Sequence, residues 1–154
     1  WRGALSLWLG RDRAAAGDLE AAAAQGNPDA WTWRGALRVR ARDWAGARSD
    51  LRAALERDPS DAEALAWRVE SRLASGDRRG AHKDLAALEA VSPGSLWVSV
   101  FKDLARGGRV SGKRSPALRQ ARAVLAAAGG LRRSDPHLNA FWINRARFVR
   151  SVLS

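Results

Sequence analysis

The sequence of 154 residues contains no cysteine and only two histidines. The lack of cysteine excludes disulfide bonds, thiolate zinc sites and a cysteine nucleophile. His82 and His137 do not have the spacing of a metal site, and no serine lies in a nucleophile elbow. We therefore expect no catalytic residue, no metal and no cofactor, and we expect that the protein is not an enzyme.

Long apolar runs are also missing. The longest, Ala123 to Leu131, is much shorter than the roughly 20 residues of a transmembrane helix. No transmembrane segment is predicted, and we expect a cytoplasmic location. Residue 1 is Trp and not Met, and it lies in a motif that recurs later in the chain. We therefore expect the chain to belong to a longer protein. An upstream targeting signal could then precede Trp1, so the absence of one from this sequence carries little weight.

Acidic residues are scarce in the last third of the chain. Residues 94–154 contain twelve Lys and Arg residues but only two acidic residues, Asp103 and Asp135. Residues 1–93 carry nearly equal numbers of basic and acidic side chains, so the net charge of +11 is concentrated at one end. Lysine occurs only three times, and this preference for arginine, with many alanines, indicates a bacterial-type GC-rich composition.

A short motif repeats along the chain. The sequence WRGAL at residues 1–5 returns unchanged at residues 33–37, and a fainter copy begins at Trp67. An Asp-Leu pair follows each of these three tryptophans at the same offset, and the pairs stand at residues 18–19, 50–51 and 84–85. The step from the second copy to the third is slightly longer than the step from the first to the second. A constant internal offset with a variable loop is typical of repeated helical hairpins.

The apolar pattern supports helices at these repeats. Residues 62–75 and 78–91 carry apolar side chains at helical spacing, with a Ser-Gly-Asp break between them. The small residues Gly35 and Ala47 would let two helices approach closely, and Leu51 would fill the seam between them. One hairpin cannot bury its apolar face alone, so neighbouring hairpins are expected to stack.

Four tryptophans are expected at inter-helix positions, where they would pack in the core and not bind a ligand. They are Trp31, Trp33, Trp44 and Trp67.

Residues 28–61 resemble a complete tetratricopeptide repeat (TPR). The positions that match the family are Trp31, Gly35, Trp44, Ala47, Leu51, Ala54 and Pro59. Residues 62–95 resemble a second repeat, through Leu65, Gly76, Ala81, Leu85, Leu88 and Pro93. Residues 1–27 resemble a truncated earlier copy. The chain departs from the family at Val69, where a small residue is preferred, and at Arg38 and Arg72, where an aromatic is preferred.

Residues 96–154 are predicted to continue as basic, degenerate helical hairpins and to end on an unpaired helix. Leu96 to Arg106 would form one helix, and Ser115-Pro116 and Ser134-Asp135-Pro136 would start two others. The uncovered apolar face of the last helix would be covered by self-association with a second copy of the chain, or by a neighbouring domain of a longer protein. At roughly 34 residues a repeat, the expected fold is all-α, a right-handed α-solenoid of antiparallel hairpins with about nine helices.

Gly107, Gly112 and Lys113 have the spacing of a phosphate-binding loop. That loop needs a Ser or Thr hydroxyl directly after the lysine to hold magnesium, and Arg114 stands there. We therefore interpret the segment as a solvated loop.

The TPR resemblance implies a concave groove lined by the first helix of each hairpin. It nominates as partner-binding residues Leu7, Trp8, Thr32, Ala36, Val39, Arg40, Glu63, Ala66, Glu70 and Leu73. The lysine and asparagine positions that clamp a C-terminal carboxylate in one subfamily are not matched, so an extended or helical peptide segment fits better. The first hypothesis is a protein–protein interaction scaffold that binds a protein or peptide segment, or a neighbouring domain.

The alternative hypothesis is that the basic third binds nucleic acid or another polyanion. Several arginines there lie one helical turn apart, and neutralising several phosphates would give strong, salt-sensitive affinity. The candidate residues are Arg119, Arg122, Arg145, Arg147 and Arg150.

Overall fold

The computed structural model describes residues 1–95 together with residues 98, 101, 102 and 105. Residues 1–95 form six α-helices and no strand. The helices are α1 (Arg2–Trp8), α2 (Asp12–Ala24), α3 (Pro28–Arg40), α4 (Trp44–Arg57), α5 (Ala62–Ala74) and α6 (Arg78–Val91). The all-α prediction is confirmed for this part of the chain, and the helices predicted at 62–75 and 78–91 match α5 and α6 to within one residue.

Most of these helices begin at a side chain that caps the first turn. The Oδ1 atom of Asn27 accepts a hydrogen bond from the backbone N of Asp29 at 3.1 Å. Asp43, Asp61 and Asp77 cap α4, α5 and α6 in the same way, at 2.9–3.0 Å. Each cap satisfies a backbone N–H that has no partner within its own helix. The capping residues therefore determine where these four helices start.

The turn inside each hairpin needs one residue with a positive φ. Gly10 and Gly76 occupy this position in the first and third hairpins, with φ of 74° and 83°. In the second hairpin the equivalent residue is Arg42, with φ of 61°. A side chain in the left-handed region costs roughly 1–2 kcal/mol, so Arg42 is held there by the helices on either side.

The two helices of a hairpin meet at a close seam. Ala47 and Leu51 of α4 are completely buried, as the sequence predicted. A Cβ atom added at Gly35 would come within 2.7 Å of both Cγ and Cδ2 of Leu51, so α3 must present a glycine for α4 to pack this closely. In the third hairpin Val69 takes the glycine position and is itself fully buried. The seam of the third hairpin therefore accommodates a valine at the position where the second hairpin has Gly35.

Neighbouring hairpins pack mainly through the second helix of one and the first helix of the next, α2 with α3 and α4 with α5, and to a lesser extent through their first helices. α1 contacts α3 and α3 contacts α5, whereas the second helices approach one another less. The Thr32 hydroxyl on α3 donates to Asp61 Oδ2 at 2.7 Å, and Asp61 also caps α5. Arg40 reaches back to the first hairpin, where it donates to the Leu7 carbonyl at 3.3 Å and pairs with Asp12 at 3.1 Å.

The core runs continuously through the three hairpins. Trp67 is 4% exposed, and Trp31, Trp33 and Trp44 are half-buried against the same core, so the predicted packing role of the four tryptophans is confirmed.

The core also reaches residues beyond α6. Val98, Phe101 and Ala105 are helical, buried and part of the same cluster. The remainder of the predicted helix at 96–106, the later predicted helices and the count of nine helices fall outside the described residues. Within the described part of the chain, no helix has both the length and the apolar character that a membrane crossing requires.

A matched pair of glycine substitutions tests the seam. Gly35→Ala forces a methyl group against Leu51, and we expect the free energy of unfolding to fall by about 1–2 kcal/mol because overpacking outweighs the gain in helix propensity. Gly17→Ala on α2 places its Cβ in open space. There the same change should stabilise the protein by about 0.5–1 kcal/mol. Urea denaturation measures both, and stabilisation by Gly35→Ala would contradict the seam described above.

Candidate functional site

The structure buries most of the residues nominated for the groove. Leu7, Thr32, Ala36, Val39, Ala66 and Glu70 are each at most 4% exposed. Arg40, Glu63 and Leu73 are half-buried, and the side chain of Trp8 is not described. The six buried residues lie under the surface of the first helices, where a ligand would not contact them directly. Only the half-buried ones offer a ligand any surface, and the binding role of the whole set stays a prediction.

Two of the nominated residues have a structural task as well. Thr32 links α3 to the start of α5, and Arg40 links α3 to α1 and α2. Substituting either would disturb the packing between hairpins, so neither reports cleanly on ligand binding. The five arginines nominated for polyanion binding and the loop at residues 107–113 lie outside the described residues.

One feature that sequence reasoning missed is complete in the second and third hairpins and partial in the first. In the second hairpin, Arg34 donates to the carboxylate of Asp50 through two nitrogens, Nε at 2.9 Å and Nη2 at 2.7 Å. Arg38, one turn later on α3, places Nη1 3.0 Å from the same carboxylate. The Asp50 side chain is only 5% exposed. Two arginines of α3 therefore enclose one buried aspartate of α4, an arrangement we name the arginine clasp.

The third hairpin has the same clasp. Arg68 donates to Asp84 through Nε at 2.7 Å and Nη2 at 2.6 Å, and Arg72 Nη1 lies 3.2 Å from Asp84 Oδ2. The Asp84 side chain is 2% exposed. Bidentate pairing of this kind is strong because the planar guanidinium matches the two carboxylate oxygens. In both hairpins the later arginine of the first helix contacts the earlier part of the second helix, as antiparallel packing requires.

The second arginine of each clasp also holds the first turn of the second helix. Arg38 Nη1 donates to the Gly46 carbonyl at 3.2 Å, and Arg72 Nη1 donates to the Gly80 carbonyl at 2.7 Å. A Cβ atom at Gly46 would come within 2.2 Å of the carboxylate of Asp43, the residue that caps α4. A larger residue at this position would therefore displace the Asp43 carboxylate or the Arg38 side chain.

The first hairpin has half of the clasp. Arg2 donates to both carboxylate oxygens of Asp18, and Ser6 stands where the second arginine would be. Hydrogen bonding to Arg2 holds the pKa of Asp18 below its ordinary value. A lowered folded-state pKa means that this pair stabilises the fold above the ordinary aspartate pKa. The contribution is lost as the pH falls through the lowered value.

The pKa of Arg34 is raised, mainly because its guanidinium donates to Asp50, so Arg34 stays charged throughout the physiological pH range.

The signal for the clasp was present in the sequence. The arginine of each Trp-Arg dipeptide stands at one constant offset before the aspartate of an Asp-Leu pair. In the sequence that offset indicates a repeat and does not by itself indicate a contact. Arg38 and Arg72, which depart from the aromatic preferred by the TPR family, are the second arginines of the two complete clasps.

The described residues contain no group of three or more His, Cys, Asp or Glu side chains arranged to hold a metal ion. Comparison of the chain with family models, curated proteins and solved structures finds no match.

Asp84→Asn tests the clasp. It leaves two partly buried guanidinium groups facing a neutral amide, and we expect a loss of about 3 kcal/mol in the free energy of unfolding. Glu56→Gln is the control, because Glu56 pairs with Arg52 at 3.6 Å on an open surface where both side chains are at least 70% exposed. That change should cost less than about 0.5 kcal/mol. Equal shifts in the urea midpoint for the two variants would show that the clasp contributes no more than a surface pair.

Proposed function

We propose that this chain is a protein–protein interaction scaffold that binds a peptide segment or a neighbouring domain along the face formed by α1, α3 and α5. The observation that supports this proposal most strongly is the side-by-side contact of the first helices, while the second helices approach one another less. Helices that pack closer on one side curve the array towards that side. The first helices would then line a concave surface.

The finer architecture that we propose is a right-handed, TPR-like α-solenoid. Each hairpin contacts the next through the same helices, and each carries the same Arg–Asp pair at the same register. Repeats that contact only their neighbours form extended binding surfaces whose curvature follows from the packing of successive units. Membership of the TPR family is part of this proposal.

Binding at this face would depend on side chains that are partly exposed and whose backbone is held in a helix. Glu63 and Leu73 lie on α5, are half-buried, and would provide one charged and one apolar contact. They stand near opposite ends of this helix. Their separation along the axis is about 15 Å at a rise of roughly 1.5 Å per residue, so they suit a segment several residues long.

Selection from a displayed library of random peptides tests the scaffold proposal with the full chain. We expect the selected peptides to lose at least about tenfold in affinity on Leu73→Ser and on Glu63→Gln, since both changes alter the proposed face. Ala86→Ser, at an exposed position of the second helix α6, is the matched control and should leave affinity unchanged. Unaltered melting of each variant shows that the fold is preserved.

The same selection separates the scaffold from polyanion binding by the basic third. Acidic peptides that are indifferent to both α5 variants, and whose affinity falls steeply with salt, would replace the groove proposal with the alternative. A selection that yields no peptide sensitive to either α5 variant would contradict the proposed face.

A further inference from the structure

A cleft with four arginines lies between the second and third hairpins. It has a volume of about 360 Å³ and is lined by Ala45, Arg48, Ser49, Arg52, Arg68 and Arg72. Helix α4 supplies the first four of these residues and α5 the last two. None of them is among the nominated groove residues, so the cleft is a separate surface and does not depend on the proposed function.

The lining of the cleft contains no acidic side chain. Asp84 lies behind it and is held by Arg68 and Arg72, and Glu56 pairs with Arg52 only across an open surface. No described residue pairs with Arg48, and none accepts a hydrogen bond from Nη1 of Arg68. The cleft thus combines positive charge with guanidinium donors that the fold itself leaves available.

The repeat supplies an internal comparison for this site. At the junction of the first and second hairpins, Arg34 Nη1 donates to Glu20 Oε1 of α2 at 3.2 Å. Arg68 is the equivalent of Arg34, because each directly follows the tryptophan of its repeat. Arg52 is the equivalent of Glu20, because each directly follows the leucine of an Asp-Leu pair. At the position where the first hairpin has Glu20 beside Arg34, the second hairpin therefore has Arg52, which lines the cleft together with Arg68.

The next junction also provides an acid. Lys102, which stands as far beyond Arg68 as Arg68 stands beyond Arg34, pairs with Glu89 of α6. Three cations at this register come after another hairpin. Among the described residues, Arg34 and Lys102 have a glutamate from that preceding hairpin, and Arg68 has none. By comparison with the other two junctions, the group missing beside Arg68 is a glutamate carboxylate.

We propose that the cleft binds a glutamate or aspartate side chain of an acidic partner segment. The carboxylate takes the place that Glu20 takes at the preceding junction, where it accepts from Arg68 Nη1. Arg48 and Arg52 contribute further charge-assisted hydrogen bonds from the opposite wall, and the Ser49 hydroxyl lies between them on α4. Guanidinium groups suit this task because their planar fork matches a carboxylate.

The test follows the arginine Nε–Hε signals of the full chain by NMR while a blocked peptide containing two adjacent glutamates is added. We expect saturable shifts for Arg48, Arg52 and Arg68, and none with the same peptide carrying glutamines. Signals of individual arginines distinguish this cleft from general attraction to the basic third.

Two charge-reversal variants make the test specific. Arg52→Glu recreates the Glu20 arrangement, fills the site with an internal carboxylate and should weaken the peptide at least about tenfold without loss of thermal stability. Arg13→Glu changes the charge equally at an exposed position of the first hairpin and should alter the affinity less than about twofold.

Three results would overturn the proposal. The first is equal weakening by both variants, because it indicates diffuse attraction to a basic protein. The second is shifts that do not saturate, and the third is saturable binding of inorganic phosphate with no response to the glutamate peptide.

Discussion

The second and third hairpins are each organised around one buried aspartate held by two arginines. Asp50 and Asp84 are almost inaccessible to solvent, and a buried carboxylate without partners would be strongly destabilising. If α3 or α5 slid by one turn against its partner helix, the carboxylate would lose one or both guanidinium groups. A buried ion pair often adds little net stability compared with an apolar replacement, but its geometry is demanding. We infer that the clasp sets the register of the two helices, and that the apolar seam beside it provides most of the hydrophobic stabilisation.

The clasp and the seam depend on each other. Gly35 lets α4 come close enough for Leu51 to fill the space, and Asp50, the neighbour of Leu51 in sequence, is thereby brought within reach of α3. Gly46 and Gly80 let the second arginine approach the capped start of the second helix. The same contacts place further guanidinium nitrogens at the junction between hairpins. At one junction they meet Glu20, and at the next they line the cleft of four arginines.

The sequence predicted the helices well because their signals are local. The apolar spacing of residues 62–75 and 78–91, with Ser75-Gly76-Asp77 between them, predicted α5 and α6 to within one residue. The seam residues Gly35, Ala47 and Leu51 were also predicted, because small residues facing a large apolar one at a fixed offset indicate close packing. The clasp was not predicted, since its partners lie on different helices and each arginine alone is typical of a solvated helix face. The residues nominated for the groove lie on α1, α3 and α5, but the burial of Ala36 and Val39 depends on packing between hairpins, which periodicity does not reveal.

A double-mutant cycle on Arg68 and Asp84 measures the central interaction directly. The free energy of unfolding is determined by urea denaturation for the full chain, for Arg68→Ala, for Asp84→Ala and for the double variant, at neutral pH and low salt. If the clasp fixes the hairpin, the two substitutions are coupled by about 2–3 kcal/mol, since the second costs little once the first has broken the pair. Coupling below about 0.5 kcal/mol, the value of an exposed ion pair, would contradict the account.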